Sequence, residues 1–216
     1  MEHSYSDVLA CGGQLAMGEE LPFCPEAEAS LRCLMRGNAQ YLERSHNPTE
    51  LTDHIRLTTA HEGQHPYAAV LCCADSRVPP EHIFSAGIGD LFVIRNAGNV
   101  MSPTALGSLE YAAAHLHVSL ILIMAHRGCG AVVAALQKHP EHGALGELIA
   151  EVRVGVGHAH DPRQAERNNL LHSLEALGES EVLRDLADRG KLAFAGAVYD
   201  IRSGAVELLL PEGSAE

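Results

Sequence analysis

The sequence predicts a single α/β domain built on a mostly parallel sheet that is flanked by helices and carries an antiparallel strand at one edge. Two observations lead to this fold class. Continuous apolar runs of strand length alternate along the chain with amphipathic helical segments. These runs lack an apolar/polar alternation, which is typical of strands buried on both faces. The length of 216 residues suits one ordinary domain.

The first part of the chain is predicted to be an arm followed by a helix and a loop. Residues 1–24 lack clear periodicity, so they are interpreted as an N-terminal arm ahead of one domain, residues 25–216. Apolar residues at helical spacing predict an amphipathic helix that begins at Pro25 and either ends near Gly37 and Asn38 or continues to Arg44. Residues 45–66 are polar and rich in histidine, and they end in proline, which predicts a loop.

The remaining elements alternate between strand and helix. Four apolar runs predict buried strands at residues 67–73, 90–95, 118–125 and 191–198. Apolar stripes predict helices at residues 103–116, 129–138, 146–154 and 163–189. Residues 193–199 and 205–210 flank a polar turn, which predicts a hairpin whose second strand forms the antiparallel edge.

Charge and composition exclude several classes of partner. Lys and Arg total 15 and Asp and Glu total 28, so the formal net charge is −13 with histidine neutral. Nucleic acid and anionic membrane surfaces repel such a chain, and neither is expected as a partner. The longest apolar run, residues 67–74, is far shorter than the roughly 20 residues of a membrane helix. The first residues lack the pattern of a secretory signal, so we expect a cytoplasmic protein whose six cysteines are thiols or metal ligands.

Polar residues follow two of the predicted strands, at the sheet edge where ligands of parallel sheets bind. Cys73 and Asp75 follow the first strand, and His126 and Cys129 follow the third. Two thiols and an imidazole are a ligand set for zinc, and Asp75 could fill or vacate a fourth position. The offset between His126 and Cys129 is that of one helical face. Cys72 should point away from Cys73 into the core, because side chains alternate along a strand.

Other chemistries fit these cysteines less well. A cysteine phosphatase needs an arginine six positions after its cysteine. None of Cys72, Cys73 and Cys129 has one. The segment that starts at Gly87 resembles a dinucleotide fingerprint, but its third glycine position is Phe92. A Cys/His thiol hydrolase stays open as an alternative, although it leaves the second cysteine and the Asp–Arg pair without a role.

Four ordered blocks of the sequence together resemble a β-class carbonic anhydrase. They are CADSRVPPE (73–81), GDLFVIRNAGN (89–99), SLEY (108–111) and HRGCGA (126–131). The resemblance extends over about residues 26–210. It implies an α/β sheet whose N-terminal helices embrace a partner subunit. It also implies self-association as a dimer or tetramer, with active sites at the subunit interface.

The resemblance implies a role for each residue of the metal site. Cys73, His126 and Cys129 match the three ligands of Zn²⁺. Asp75 and Arg77 match a catalytic dyad, in which Arg77 holds Asp75 off the metal. Asp75 itself ligates zinc only in a closed state.

The resemblance also implies a small-molecule pocket for carbon dioxide and bicarbonate. Gln64 matches a substrate-binding glutamine, and Phe92 and Tyr111 match the pocket walls. Gly130 matches a backbone amide that donates to the substrate oxygen. His115 lies where some relatives are thought to move protons.

The implied reaction is the reversible hydration of carbon dioxide to bicarbonate and a proton, which makes the protein a lyase. Zinc lowers the pKa of bound water from 15.7 to roughly 7, and the resulting hydroxide attacks the substrate. Two alternatives remain. Relatives with the same ligands hydrolyse carbonyl sulfide or carbon disulfide, and a catalytically silent zinc-bound scaffold would have the same fold.

Three residues depart from the family pattern. Ala125 and Arg127 flank the histidine ligand where glycine and serine are common, and we expect Arg127 to point to solvent. Val70 stands where a bicarbonate-regulated subgroup has tryptophan, so the regulatory anion pocket is expected to be missing.

Overall fold

The computed structural model describes residues 8–10, 23–44, 52–137 and 139–211. The strands are β1 (Val8–Ala10), β2 (Ala68–Cys73), β3 (Leu91–Asn96), β4 (Leu120–His126), β5 (Ala193–Tyr199) and β6 (Val206–Pro211). They form one sheet in the order β1-β6-β5-β4-β2-β3. Strands β3, β2, β4 and β5 are parallel to one another, β6 is antiparallel to β5, and β1 is antiparallel to β6. The predicted fold class is therefore confirmed.

The antiparallel edge of the sheet is two strands wide. The predicted hairpin is present as β5 and β6, with Tyr199 paired to Val206. Three residues of the predicted arm then pair with β6 as β1, with Leu9 opposite Leu210. This pairing gives partners to backbone groups that an edge strand leaves open. The arm residues 1–7 and 11–22 lie outside the described part of the chain.

Eight helices occur among the described residues. They are α1 (Pro25–Arg44), α2 (Asp53–Glu62), α3 (Pro80–Ile83), α4 (Pro103–His115), α5 (Gly130–Leu136), α6 (Gly143–Val156), α7 (Pro162–Glu179) and α8 (Glu181–Asp188). A 3₁₀ turn at Ala97–Asn99 follows β3. Within the described ranges, no helix has both the length and the apolar character needed to cross a membrane.

Part of the predicted loop over residues 45–66 is wrong, because α2 lies within it. The Thr52 side chain accepts a hydrogen bond from the Ile55 amide (3.3 Å) and caps the helix. No residue of α2 is buried in the chain. A helix without a buried face has no apolar stripe, so hydrophobic periodicity could not reveal it.

The single helix predicted over residues 163–189 is also wrong, because it is two helices. Ser180 has extended backbone angles, and its side chain accepts a hydrogen bond from the Leu183 amide (3.2 Å). The serine thus ends α7 and caps α8. The apolar spacing continues across this break, which is why the sequence pattern reads as one helix.

The sheet separates two apolar layers, and the alternation along β2 shows how. Val70 and Cys72 pack with Leu31 and Leu34 of α1 on one face. Ala69 and Leu71 pack on the opposite face, which α4 and α7 cover. The prediction that Cys72 is a core residue is confirmed. Every residue of β2, β4 and β5 is buried, whereas β3 lies at the sheet edge and is half exposed along most of its length.

Close packing of α1 against α3 leads to a stability prediction for Gly37→Ala. A Cβ at Gly37 would lie 1.8 Å from the Phe84 carbonyl oxygen, and a backbone atom cannot move aside easily. We expect the substitution to lower the free energy of unfolding by about 1–3 kcal/mol or more. Gly107→Ala is the matched control, because a Cβ there meets nothing within 4 Å. It should raise stability by about 0.5–1 kcal/mol in α4. Urea unfolding that shows equal stability for both variants would contradict this packing.

Candidate metal centre

Two neighbouring parallel strands bring the predicted metal ligands together. Cys73 is the last residue of β2, His126 is the last residue of β4, and these strands pair directly. Cys129 lies just before α5. The three ligand atoms lie within 4.8 Å of one another, and all three residues are buried. The two sulfurs are 3.9 Å apart.

A tight turn, rather than a helix, places His126 beside Cys129. His126 ends β4, and helix α5 begins only at Gly130. Gly128 has a φ of 71°, a left-handed conformation that glycine adopts without strain. The interpretation of the three-residue offset as one helical face is therefore wrong, although the two residues do converge.

The His126 ring has one nitrogen bound and one nitrogen facing the sulfurs. Its Nδ1 lies 3.1 Å from the Arg127 carbonyl oxygen, which can only accept, so Nδ1 carries the proton. Its Nε2 is buried and has no hydrogen-bond partner among the described residues. A buried nitrogen lone pair beside two sulfurs is unfavourable without a partner, and a cation bound among the three atoms would supply one. Sulfur and nitrogen donors of this kind suit zinc, so the residues fit the implied metal.

The polypeptide supplies hydrogen bonds to the Cys73 sulfur. The amides of Gly98 (3.3 Å) and Asp75 (3.4 Å) donate to it, and the Cys129 sulfur lies within hydrogen-bond distance at 3.9 Å. The hydrogen bond with Cys129, followed by those from the two amides, lowers the pKa of Cys73. The hydrogen bond to Cys73, together with burial, raises the pKa of Cys129. Burial raises the pKa of the neighbouring Cys72 to about 12, so that thiol stays neutral.

Asp75 and Arg77 form a bidentate ion pair at the mouth of the site. Asp75 Oδ1 accepts from Arg77 Nε (2.9 Å) and the Arg77 amide (3.0 Å), and Oδ2 accepts from Nη2 (2.7 Å). The side-chain hydrogen bond from Arg77 is the main reason that the pKa of Asp75 lies well below its usual range. Asp75 Oδ2 is 3.9 Å from His126 Nε2, so the carboxylate is beside the ligand cluster.

Comparison with known proteins decides which family this arrangement represents. The family model described as carbonic anhydrase matches residues 68–206. Solved structures with the same fold are β-carbonic anhydrases. The chain belongs to the β-carbonic anhydrase family.

Several carbonic anhydrases resemble the chain over most of its length. Carbonic anhydrase 2 of Mycobacterium tuberculosis is 33% identical over 193 residues, which cover 83% of this chain and 91% of that protein. A tetrameric β-carbonic anhydrase from Sordaria macrospora has a TM-score of 0.65 and 25% identity, with 84% of this chain and 97% of that chain covered. The Coccomyxa β-carbonic anhydrase, solved with acetazolamide, has a TM-score of 0.62 and 28% identity, with 83% and 86% covered.

Arg127, a departure from the β-carbonic anhydrase pattern, does not point to solvent as expected. Its guanidinium lies 3.4 Å from a carboxylate oxygen of Glu166 and 3.6 Å from one of Glu207. Glu166 is 2% exposed, so a buried carboxylate next to the turn draws the arginine inward. Ala125 is buried within β4.

Sequence reasoning missed Arg95, which holds the strand end that carries Cys73. The Arg95 guanidinium donates to the carbonyl oxygens of Cys73 (3.1 Å) and Asp75 (2.7 Å). The available signal was a charged residue at the end of an apolar strand, inside a block that matches β-carbonic anhydrases. Arg95 thus fixes the backbone of the segment that leads from the sulfur to the dyad.

The pocket residues implied by the resemblance lie away from the cysteines of the same chain. Gln64 is exposed in the loop before β2. Cys73 is at the far end of that strand, about 16 Å from the first strand residue. Phe92 pairs in register with Ala69, so it lies about 13 Å before the strand end. The rings of Phe92 and Tyr111 are 6.1 Å apart, and Tyr111 is 5.1 Å from the exposed His115. Only Gly130, which follows Cys129, is next to the ligands in sequence.

Proposed function

We propose that this β-carbonic anhydrase catalyses the reversible hydration of carbon dioxide to bicarbonate and a proton. The observation that carries the proposal is the buried cluster of two thiols and one imidazole at the ends of β2 and β4, with the Asp75–Arg77 pair beside it. Membership of the family gives the reaction, and the curated relatives are carbonic anhydrases.

The proposed cofactor is one Zn²⁺ per chain, held by Cys73, His126 and Cys129. Two thiolates and a neutral imidazole balance the charge of a divalent ion and disfavour hard cations such as magnesium. When bound, zinc acidifies a water molecule, which supplies the nucleophile near neutral pH. The unpartnered Nε2 of His126 supports this ligand set.

Asp75 and Arg77 would orient the water and keep the carboxylate charged. Asp75 Oδ2 receives one hydrogen bond from Arg77 and retains lone-pair capacity on the side of the cluster. That oxygen can accept the proton of the attacking water in a hydrogen bond and thereby aim a lone pair at the carbon. Because Arg77 binds both carboxylate oxygens, Asp75 is held off the metal, and it would become a ligand only in a closed state where that pair breaks.

The pocket would be completed by a second copy of the chain. Phe92 lies on the half-exposed edge strand β3, Tyr111 is exposed on α4, and Gln64 is exposed in the loop before β2. An edge strand with open backbone groups and half-exposed apolar side chains favours an interface. Gly130 would donate its amide to the substrate oxygen from its own chain, since the first amides of a helix lack partners within it. His115, whose ring lies 5.1 Å from that of Tyr111, is the proposed proton acceptor.

Self-association and location extend this proposal. The N-terminal arm, residues 1–24, with α1 and α2 is proposed to contact the partner subunit, because α2 buries none of its residues within one chain. The assembly would be a dimer or a tetramer. A cytoplasmic location is proposed because the thiol ligands require reducing conditions.

Stopped-flow hydration of carbon dioxide, with carbonyl sulfide as a parallel substrate, tests the function. We expect fast hydration of carbon dioxide and a kcat/KM for carbonyl sulfide at least about tenfold lower. A preference for carbonyl sulfide would assign the hydrolase chemistry instead. Absence of both activities in zinc-loaded protein would leave the scaffold reading.

The pH profile of hydration follows from the charge of Asp75. Because the pKa of Asp75 lies below its usual range, the carboxylate stays ionised throughout the working range and adds no second acid limb. Activity should rise with pH between about pH 6 and 9, through one noncooperative ionisation of the water that zinc would acidify. Val70 stands where the bicarbonate-regulated subgroup has tryptophan, so we expect no regulatory pocket. Added bicarbonate should therefore not steepen the pH profile. A cooperative profile that bicarbonate sharpens would contradict this expectation.

A further inference from the structure

One face of α7 carries polar residues where a buried helix face normally carries apolar ones. Glu166, Asn169 and Ser173 are spaced so that they lie on one side of the helix. None of the three is more than 3% exposed. Their neighbours Leu170 and Leu174 pack in the core beneath the sheet. Burial of a carboxylate and an amide is unfavourable unless each has partners, so this row must make specific contacts.

Two members of the row bind the 3₁₀ turn at Ala97–Asn99, which contacts the Cys73 sulfur. Asn169 Nδ2 donates to the Gly98 carbonyl (2.8 Å), and Ser173 Oγ donates to the Asn99 carbonyl (3.2 Å). The Gly98 amide in turn donates to Cys73 Sγ (3.3 Å). A Cβ at Gly98 would lie 2.8 Å from a methyl group of Val152, so the turn is also tightly enclosed.

The third member, Glu166, contacts the turn between the other two ligands. Its Oε1 accepts from the Gly128 amide at 2.7 Å, and its Oε2 lies 3.4 Å from Arg127 Nη1. Gly128 is the residue with positive φ that brings His126 next to Cys129. Glu166 therefore fixes the turn at the position on which the convergence of the two ligands depends.

Glu166 and His126 are joined through a single peptide group. The Gly128 N–H that binds Glu166 and the Arg127 carbonyl that binds His126 Nδ1 (3.1 Å) belong to the same peptide. A carboxylate that accepts from the N–H polarises the peptide and makes its carbonyl a stronger acceptor. A stronger acceptor at Nδ1 orients the imidazole and raises the basicity of its other nitrogen.

We propose that Glu166 is a positioning residue of the metal centre, acting on His126 through the peptide between Arg127 and Gly128. The inference rests on the proposed zinc site. Glu166 fixes the tautomer and the plane of the imidazole, and it strengthens Nε2 as a ligand without touching metal or substrate. In many metal sites a carboxylate binds the ligating histidine directly, whereas here a backbone amide lies between them.

The test compares Glu166→Gln and Glu166→Ala with the unaltered protein. Glutamine keeps an acceptor for the Gly128 amide but loses the charge, and alanine loses both. We expect zinc affinity, measured by chelator competition, to fall about tenfold in Glu166→Gln and up to about 100-fold in Glu166→Ala. In ¹⁵N-histidine-labelled, zinc-loaded protein, the proton resonance on His126 Nδ1 should move upfield in both variants. Glu166→Gln alone carries the test if the alanine variant does not fold.

Glu110→Gln is the matched control, because Glu110 accepts a hydrogen bond from Ser180 (2.7 Å) at the end of α7 that lies away from the turn. It should leave zinc affinity and the His126 resonance unchanged. Unaltered affinity and resonance in both Glu166 variants would overturn the inference, as would an equal change in Glu110→Gln, which would indicate a general effect on stability. If the unaltered protein itself bound no zinc, the proposed function would fail instead.

Discussion

Replacement of Cys129 by serine is expected to empty the metal site and reduce carbon dioxide hydration to the uncatalysed rate. Cys129 is 1% exposed, and its sulfur is 3.9 Å from that of Cys73. A neutral hydroxyl is a poor substitute for a thiolate, and loss of one ligand leaves two donors for an ion that prefers four. Elemental analysis of the purified variant should find little zinc. Cys73→Ser and His126→Ala should behave in the same way.

Cys72→Ser is the control for this series, since Cys72 is equally buried but lies on the opposite face of the sheet. It should retain zinc and most of its activity, and lose about 1–3 kcal/mol of stability because a hydroxyl is buried in an apolar layer. A full equivalent of zinc in Cys129→Ser, or loss of zinc in Cys72→Ser, would contradict the assignment of the ligands.

Asp75→Asn and Arg77→Ala are expected to keep zinc and lose most of the hydration activity. Asparagine preserves the shape of Asp75 but removes the negative charge that makes its carboxylate oxygen a strong hydrogen-bond acceptor for the water. Alanine removes the guanidinium that binds both oxygens of Asp75 at 2.7 and 2.9 Å. A positioned proton acceptor is typically worth about 10²–10⁴-fold in rate, so kcat/KM should fall by at least about 10² in Asp75→Asn. Stopped-flow rates and zinc content measured on the same samples separate loss of chemistry from loss of metal.

A second surface pair, Arg189 and Asp185, provides the control for a change of charge. These side chains form an exposed ion pair at the end of α8 at 2.8 Å, remote in sequence from the cluster. Arg189→Ala should leave both zinc content and hydration unchanged. Rates for Asp75→Asn and Arg77→Ala equal to that of Arg189→Ala would show that the dyad has no part in the reaction.

The parallel sheet and the ligand cluster were predictable because both depend on local sequence and on one general rule of topology. Apolar runs without alternation identify buried strands, and the carboxyl ends of neighbouring parallel strands meet at one edge. Two such strands end at Cys73 and His126, and Asp75 and Cys129 follow them closely in the chain. The placement of Cys72 in the core followed from the twofold period of a strand.

The parts that were missed depend on contacts between distant segments or on elements without an apolar face. Nothing local to Arg127 indicates that a carboxylate 39 positions later lies beside it, so its inward orientation was not predictable. The role of Glu166 depends on the same long-range contact. Helix α2 has no buried residues and therefore no apolar stripe. The break at Ser180 depends on the serine capping α8, while the helical spacing of apolar residues continues across it.

Zinc titration of the metal-free protein, followed by stopped-flow hydration of carbon dioxide, is the direct test of zinc-dependent catalysis at this site. We expect no activity without metal, a linear rise with added zinc, and a sharp break at one zinc per chain. Activity in the metal-free protein, or no hydration after one equivalent of zinc has bound, would contradict it.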